Sequence, residues 1–310
     1  MGGDTQSTTK GIAAMAAAMF FLPIMDAIGK WLSIVDNVPP ATVTFGRFFF
    51  QSLITLAIIL ALRGMGALKT RNLNGNLIRG SLMGIGGVCF FVAIKYMPLA
   101  DALAIFFVEP LILTLLSAVI LKEQVGWRRL SAVAVGFLGT LLVIQPSWEV
   151  FGWVSLLPLV TATFFAIYLI LNRVYSADDS PLVMQLYAGL GGSLITGAIL
   201  IAGSLLQIDD LSAGMPSGSL PWALLVSIGA IATVGHLLVV HASRLIPASL
   251  LAPFQYLEIV MAVLIGLVVF AEFPSLTKWI GILIIVGSGV YVFWRERVGA
   301  QKAALATMQP

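Results

Sequence analysis

Polar residues are so sparse in this chain that they act as punctuation between long apolar runs. Within the runs, hydrophobic positions are continuous rather than alternating. This predicts membrane-spanning helices and argues against a transmembrane β-barrel. The runs predict ten spans, at 11–34, 40–62, 77–97, 99–121 and 127–144, then 152–171, 181–206, 221–243, 248–270 and 277–294. Spans 3 and 4 meet at Met97-Pro98-Leu99, and spans 8 and 9 at Ile246-Pro247-Ala248. Each pair predicts a tight hairpin in which proline ends one helix and opens the next.

The rare residues within this apolar background recur. Residues 93–131 fall on 242–280 without a gap, so that Pro98 meets Pro247, Glu109 meets Glu258, Glu123 meets Glu272, Lys95 meets Arg244 and Arg129 meets Lys278. Further back, Pro40 meets Pro181, Ser52-Leu53-Ile54-Thr55 meets Ser193-Leu194-Ile195-Thr196, and Phe20-Phe21 precedes Phe164-Phe165 in the same way. The chain therefore divides into residues 1–146 and 147–310, two five-helix repeats that together form one transport domain. Five is odd, so the second repeat enters the membrane upside down. The expected fold is an all-α membrane protein of ten helices in two inverted repeats, an architecture of secondary transporters with the binding site near the midplane.

Composition agrees, since only 10% of the 310 residues are charged, 59% are hydrophobic and mean hydropathy is +1.02. Soluble domains carry roughly 25% charged residues. A net charge of +3 does not point to nucleic acid, because the cations sit at helix ends. With the N-terminus inside, the cytoplasmic side collects Lys10, Arg63, Lys69, Arg71, Arg79, Lys122, Arg128, Arg129, Arg173, Arg244, Arg295, Arg297 and Lys302. The outer half keeps Lys30, Arg47, Lys95 and Lys278, while Asp36, Glu149, Asp209 and Asp210 fall in outer loops. Both termini are thus expected in the cytoplasm of a bacterial cell, with the chain in the inner membrane. Cys89 is the single cysteine, so neither an intramolecular disulfide nor a cysteine metal site is available. Residues 1–23 resemble a signal peptide, but the repeat needs this helix as partner to the one around Phe164, so it is expected to stay.

Glu109 and Glu258 lie about ten residues into their spans, hence ~15 Å deep in a ~30 Å core. A charged carboxylate there costs roughly 2.5–3.5 kcal/mol. Either the two staple the bundle through hydrogen bonds, or they line a path and exchange a proton; Gln255 and Tyr256 add polar groups beside Glu258. Glu123 and Glu272, at membrane edges, are expected to cap the helices that follow them. Asp26 and Lys30 are spaced i,i+4 and can pair on one face, with Lys30 near enough to the outer surface to snorkel. Pro23 should weaken the helix before them. Arg47, also within snorkelling reach, and Lys95 complete a mildly cationic outer half suited to a substrate carboxylate or to lipid phosphates. His236 and His241 are five apart, about 140° around a helix, which makes them poor joint metal ligands; His236 is either an interhelical hydrogen-bonder or a cavity residue.

Aromatic residues cluster at Phe20-Phe21, Phe48-Phe49-Phe50, Phe90-Phe91, Phe106-Phe107 and Phe164-Phe165, with Tyr168, Tyr187 and Tyr256. Most must pack helices or face lipid, and those beside polar residues can wall a pocket for flat side chains. Trp148, Trp153, Trp222, Trp279 and Trp294 fall at predicted interfaces as anchors. Gly80, Gly84 and Gly87 mimic a phosphate loop but lack its strand and acidic partner, so close helix packing explains them better.

Val108-Glu109-Pro110, Leu121-Lys122-Glu123, Trp127, Gly136 and Gly139, with the echo Leu257-Glu258 and Ala271-Glu272, resemble the EamA-type branch of the drug/metabolite transporter superfamily. The resemblance implies ten helices in two inverted repeats and export of amino acids and other metabolites. The chain looks most like the aromatic and neutral amino-acid exporters of the YddG type, although Ile259 stands where the first repeat has Pro110. The expected cavity residues are Glu258, Gln255, Tyr256, Glu109, Phe106, His236, Asp26, Lys30, Arg47, Phe20 and Tyr168, with Pro23, Pro110 and Pro253 as gates. An exporter of cationic drugs is the alternative, with Glu109, Glu258 or Asp26 as ligand. No G-x-S-x-G, H-E-x-x-H or nucleotide loop supports an intramembrane enzyme. No cofactor, metal or nucleic acid is implied. The expected partners of this monomer are an amphipathic small molecule, the bilayer and, as candidate coupling ion, the proton.

Overall fold

The computed structural model describes residues 2–120, 127–175, 179–245 and 257–307. Gln255, Tyr256, Pro253, Glu123 and the corner at Pro247 lie outside the described residues. Eleven helices are described: α1 Gly2–Ile34, α2 Pro40–Arg63, α3 Leu73–Tyr96, α4 Leu99–Phe106, α5 Glu109–Ile120, α6 Trp127–Phe151, α7 Leu157–Tyr175, α8 Pro181–Leu205, α9 Ser219–Leu245, α10 Leu257–Phe270 and α11 Leu276–Thr307. They make the ten spans, because span 4 is split into α4 and α5.

Local chemistry sets the ends. Proline opens α2 and α8 at a position where its missing N–H is not needed. Gly64, at φ 74°, ends α2 and returns its N–H to Ile59 O. Asn72 caps α3 by accepting the N–H of Gly75 at 3.0 Å. Pro23 sits inside α1, which runs through it as one helix.

Contacts between loops fix the topology. At one end of the bundle, Lys30 donates to Met97 O at 2.8 Å, and Lys95 at the end of α3 meets Asp210 between α8 and α9 at 2.5 Å. At the opposite end, Thr70 between α2 and α3 donates to Asp179 between α7 and α8 at 2.6 Å, and Tyr187 to Leu68 O at 2.9 Å. The first helix of the first half therefore finishes at the Lys30 end, and the first helix of the second half at the Asp179 end. This is the inverted arrangement. By the cation distribution, the Lys30 end faces outward.

Helices of opposite halves pack on one another: α1 on α9 and α10, α3 on α7 and α8, and α2 on α8 and α9. Glycine permits the closest of these approaches, since a Cβ at Gly80 would stand 1.9 Å from Ala188 O, and one at Gly191 2.2 Å from Leu77 O. The span-3 glycines are thus packing residues. The main buried core, around Phe91, Ile94, Met97, Leu99, Leu103, Ile228 and Ile259, fills the outer half between α1, α3, α4, α9 and α10.

Candidate transport cavity

Span 4 breaks because Pro110 has no N–H to offer the carbonyl of Phe106. The last turn of α4 tightens, with Val108 N–H bonding Ile105 O at 3.2 Å, and a new helix opens at Glu109, where Leu111 and Ile112 both donate to Val108 O. Glu109 thus stands in the first turn of a half-helix, where the free N–H groups favour an acceptor. Glu258, its counterpart in the second repeat, likewise falls in the first described turn of α10.

Both glutamates line a cavity of ≈ 160 Å³ between the halves, with Asp26 of α1, Arg47 of α2 and His236 of α9. Its walls are rings and thioethers: Phe90, Phe106, Phe107 and Phe165 on one side, Met15, Met19, Met25 and Met83 on others. Phe106 is central, with ring centroids 5.5 Å from Phe165, 5.9 Å from Phe107 and 6.1 Å from Phe90. Gly86 and Gly87 of α3 bring bare backbone to the wall, and Thr161 donates its hydroxyl to Gly86 O at 2.9 Å.

Three carboxyl groups and one guanidinium line this cavity. Asp26 is within electrostatic reach of both Arg47 and Glu258. The Arg47 guanidinium lies 5.0 Å from the centroid of the Phe48 ring. Among the described residues, Arg47 Nε and Glu109 Oε1 are buried without a hydrogen-bond partner. His236 Nδ1 is 2.8 Å from Ala232 O. A carbonyl only accepts, so Nδ1 carries a proton, and in the neutral ring Nε2 keeps its lone pair. No group of His, Cys, Asp and Glu suited to a metal occurs among the described residues.

Of the expected cavity residues, the structure brings together Glu109, Glu258, Phe106, His236, Asp26 and Arg47. Lys30 is a correction. It neither pairs with Asp26 nor snorkels; it is 1% exposed and held by Glu272 Oε1 at 2.5 Å and Met97 O. Arg47 does not snorkel either, being buried at the cavity wall. Phe20 is 55% exposed on the outside of the bundle. Tyr168 stands behind the wall, stacked on Phe165 at 5.6 Å, with the buried Arg79 5.2 Å over its ring. Arg79, expected on the cytoplasmic side, lies in that half of the bundle but is buried there, donating to Met184 O at 3.0 Å. Glu272 caps a different helix from the expected one, accepting the first N–H of α4, from Leu99, at 3.2 Å.

The lysines of the outer half are neutralised. Lys30 meets Glu272, Lys95 meets Asp210, and Lys278 meets the fully buried Asp101, so three ion pairs bind one half to the other at the outer end. Asp101 and the four methionines carried no signal in the sequence: one carboxylate near a helix start reads as a cap, and methionine reads as core.

A family model described as the EamA-like transporter family matches this chain twice, over residues 9–145 and 152–294. The chain belongs to that family. This EamA-like transporter is 29% identical to a riboflavin transporter of Vibrio cholerae, the match covering 96% of this chain and 97% of the relative. It is 25% identical to an S-adenosylmethionine uptake transporter of Rickettsia prowazekii, with the same coverage of each. A solved crystal structure shares its fold at TM-score 0.63 and 18% identity, over 94% of this chain and 98% of the other. The likeness to amino-acid exporters thus narrows to the family: these relatives are named for other small metabolites.

Proposed function

We propose that this EamA-like transporter carries a small amphipathic metabolite with a flat ring and a polar end across the cytoplasmic membrane by alternating access. The observation that carries the reading is the cavity itself, a pocket between inverted halves with aromatic rings on one wall and the Asp26–Arg47–Glu109–Glu258 group on another. Rings stack on Phe106 and Phe165, while a carboxylate or ammonium finds an opposite charge in a site of low dielectric. The outer end is closed by ion pairs and the apolar core, and the cavity reaches from Asp26 toward Met15 and Val239 on the cytoplasmic side. Rocking of the halves would exchange these seals.

Volume supports export of aromatic or neutral amino acids as the finer reading, because ≈ 160 Å³ lies below the ~300–1,000 Å³ of pockets for drug-sized ligands. A second reading rests on the relatives. Riboflavin and S-adenosylmethionine each join a planar heteroaromatic ring to a polar chain, and the methionine walls can repack around a larger ring.

Counterflow in proteoliposomes separates these readings. Labelled phenylalanine, tryptophan, riboflavin, S-adenosylmethionine and a quaternary amine are each exchanged against unlabelled compound. Saturable exchange of a ring-bearing metabolite, reduced by Phe106→Ala and by Glu109→Gln, supports the proposal. Exchange of the quaternary amine alone would replace it with a cationic-drug carrier, and exchange of none would remove it.

A further inference from the structure

A second concavity shares no residue with the transport cavity. It is a groove of ≈ 310 Å³ between α2 and α8, lined by Phe49, Ser52, Leu53, Leu56, Leu68 and Leu186, with Tyr187, Leu190 and Ser193. The two serines do not make it polar: Ser52 donates to Phe48 O at 2.8 Å and Ser193 to Gly189 O at 2.9 Å, each within its own helix. Leu186 is buried at the floor, while Phe49, Leu53 and Leu190 stand exposed along the rim. From Phe49 to the end of α2 at Arg63 is ~21 Å of helix, enough to cross one leaflet of a ~30 Å hydrocarbon core.

Charge marks one end of the groove. Leu68 closes it, held there by the Tyr187 hydroxyl, and Lys69 follows directly in the chain. Arg63 ends α2 and Arg71 stands two residues past Lys69, all three exposed. Among the described residues none of these side chains enters an ion pair. The nearby carboxylate, Asp179, is taken up by uncharged donors: the Thr70 hydroxyl, the Arg71 backbone N–H and the Asn76 amide. An apolar slot, lined on α2 from Phe49 to Leu56, thus opens toward three cations at the cytoplasmic surface. A zwitterionic lipid gains little from them, whereas an anionic headgroup gains from each.

We infer that this groove binds an anionic phospholipid of the cytoplasmic leaflet, one acyl chain lying between α2 and α8 and the phosphate held by Arg63, Lys69 and Arg71. The inference is independent of what the central cavity carries. Native mass spectrometry of the full chain, titrated with phosphatidylglycerol or phosphatidylcholine of matched acyl chains, tests it. Phosphatidylglycerol should be retained at least tenfold more tightly. Arg63→Ala and Lys69→Ala should each weaken that retention roughly fivefold and leave phosphatidylcholine unchanged. Leu190→Trp, which fills the groove and keeps every cation, should also lower phosphatidylglycerol retention. Equal retention of the two lipids, or charge variants that hold phosphatidylglycerol as the wild type does, would overturn the site. Unaltered binding by Leu190→Trp would overturn it as well, reducing the effect to diffuse surface attraction.

Discussion

Replacing Glu272 by glutamine should open the outer end of this transporter. Lys30 Nζ has Glu272 Oε1 at 2.5 Å, Met97 O at 2.8 Å and the centroid of the Phe270 ring at 5.0 Å, and Lys30 is only 1% exposed. Glutamine keeps an acceptor for the Leu99 N–H but removes the countercharge. Breaking a buried ion pair costs about 3–5 kcal/mol. Glu272 is 24% exposed, so the lower figure applies. If Lys30 leaves Glu272 when the outer end opens, the whole cost falls on the closed state, and ~3 kcal/mol shifts the equilibrium on the order of a hundredfold toward outward-open. The assay is labelling by a membrane-impermeant maleimide added outside, on a Cys89→Ser background with a single thiol at Leu103, a buried residue of α4 at the cavity wall. Glu272→Gln should accelerate labelling up to that factor, and the double variant Lys30→Met/Glu272→Met, which replaces the pair by apolar groups, should return it to the starting rate. Labelling of a folded Glu272→Gln protein at the starting rate would refute the reasoning.

Three further outcomes follow from the same geometry. Gly80→Ala places a methyl 1.9 Å from the Ala188 carbonyl; backbone cannot yield, so the protein should lose about 1–3 kcal/mol, read as a lower midpoint in a detergent thermal melt. Pro110→Ala restores the N–H that Phe106 O lacks and should let span 4 run as one helix, raising the melting midpoint while lowering exchange in counterflow. Asp179→Asn should show a pH-dependent penalty: burial alone raises the Asp179 carboxyl, but hydrogen bonds from Thr70, Arg71 and Asn76 outweigh it and hold the group below its usual range. A depressed folded pKa stabilises above the ordinary value of about 3.9 and loses that contribution as pH falls through the folded pKa. The gap between wild type and variant should therefore be full at pH 6 and narrow as pH falls below about 4.

The spans, the repeat and the inversion were legible because proline, glutamate and cations are rare in this chain, so their coincidences at a fixed spacing carry information. Glu109, Glu258, Asp26, Arg47 and His236 were legible as candidates for a related reason, since a polar residue deep in an apolar run needs a cavity or a partner. What could not be read was pairing across distance. Lys30 chooses Glu272 over Asp26, one turn away on its own helix, and that preference depends on how α1 lies against the second half. Lys278 and Asp101 meet for the same reason. Phe20 and Tyr168 failed as wall residues because an aromatic on a helix facing lipid, cavity and neighbour has the same local sequence in all three settings. The methionines that shape the pocket are invisible to any hydrophobic pattern.

The short helix α4 has a further consequence. It is a rigid rod of eight residues, ~12 Å long. At its outer tip Glu272 grips two things at once, Lys30 with one oxygen and the amide of Leu99 with the other. Just past its inner tip, after the break at Phe107, stands Glu109. Under the proposed function, cargo or a proton arriving at Glu109 would push on a strut whose far end is the latch, joining occupancy at the centre to release at the surface through about one turn of stiff backbone on either side of Ala102.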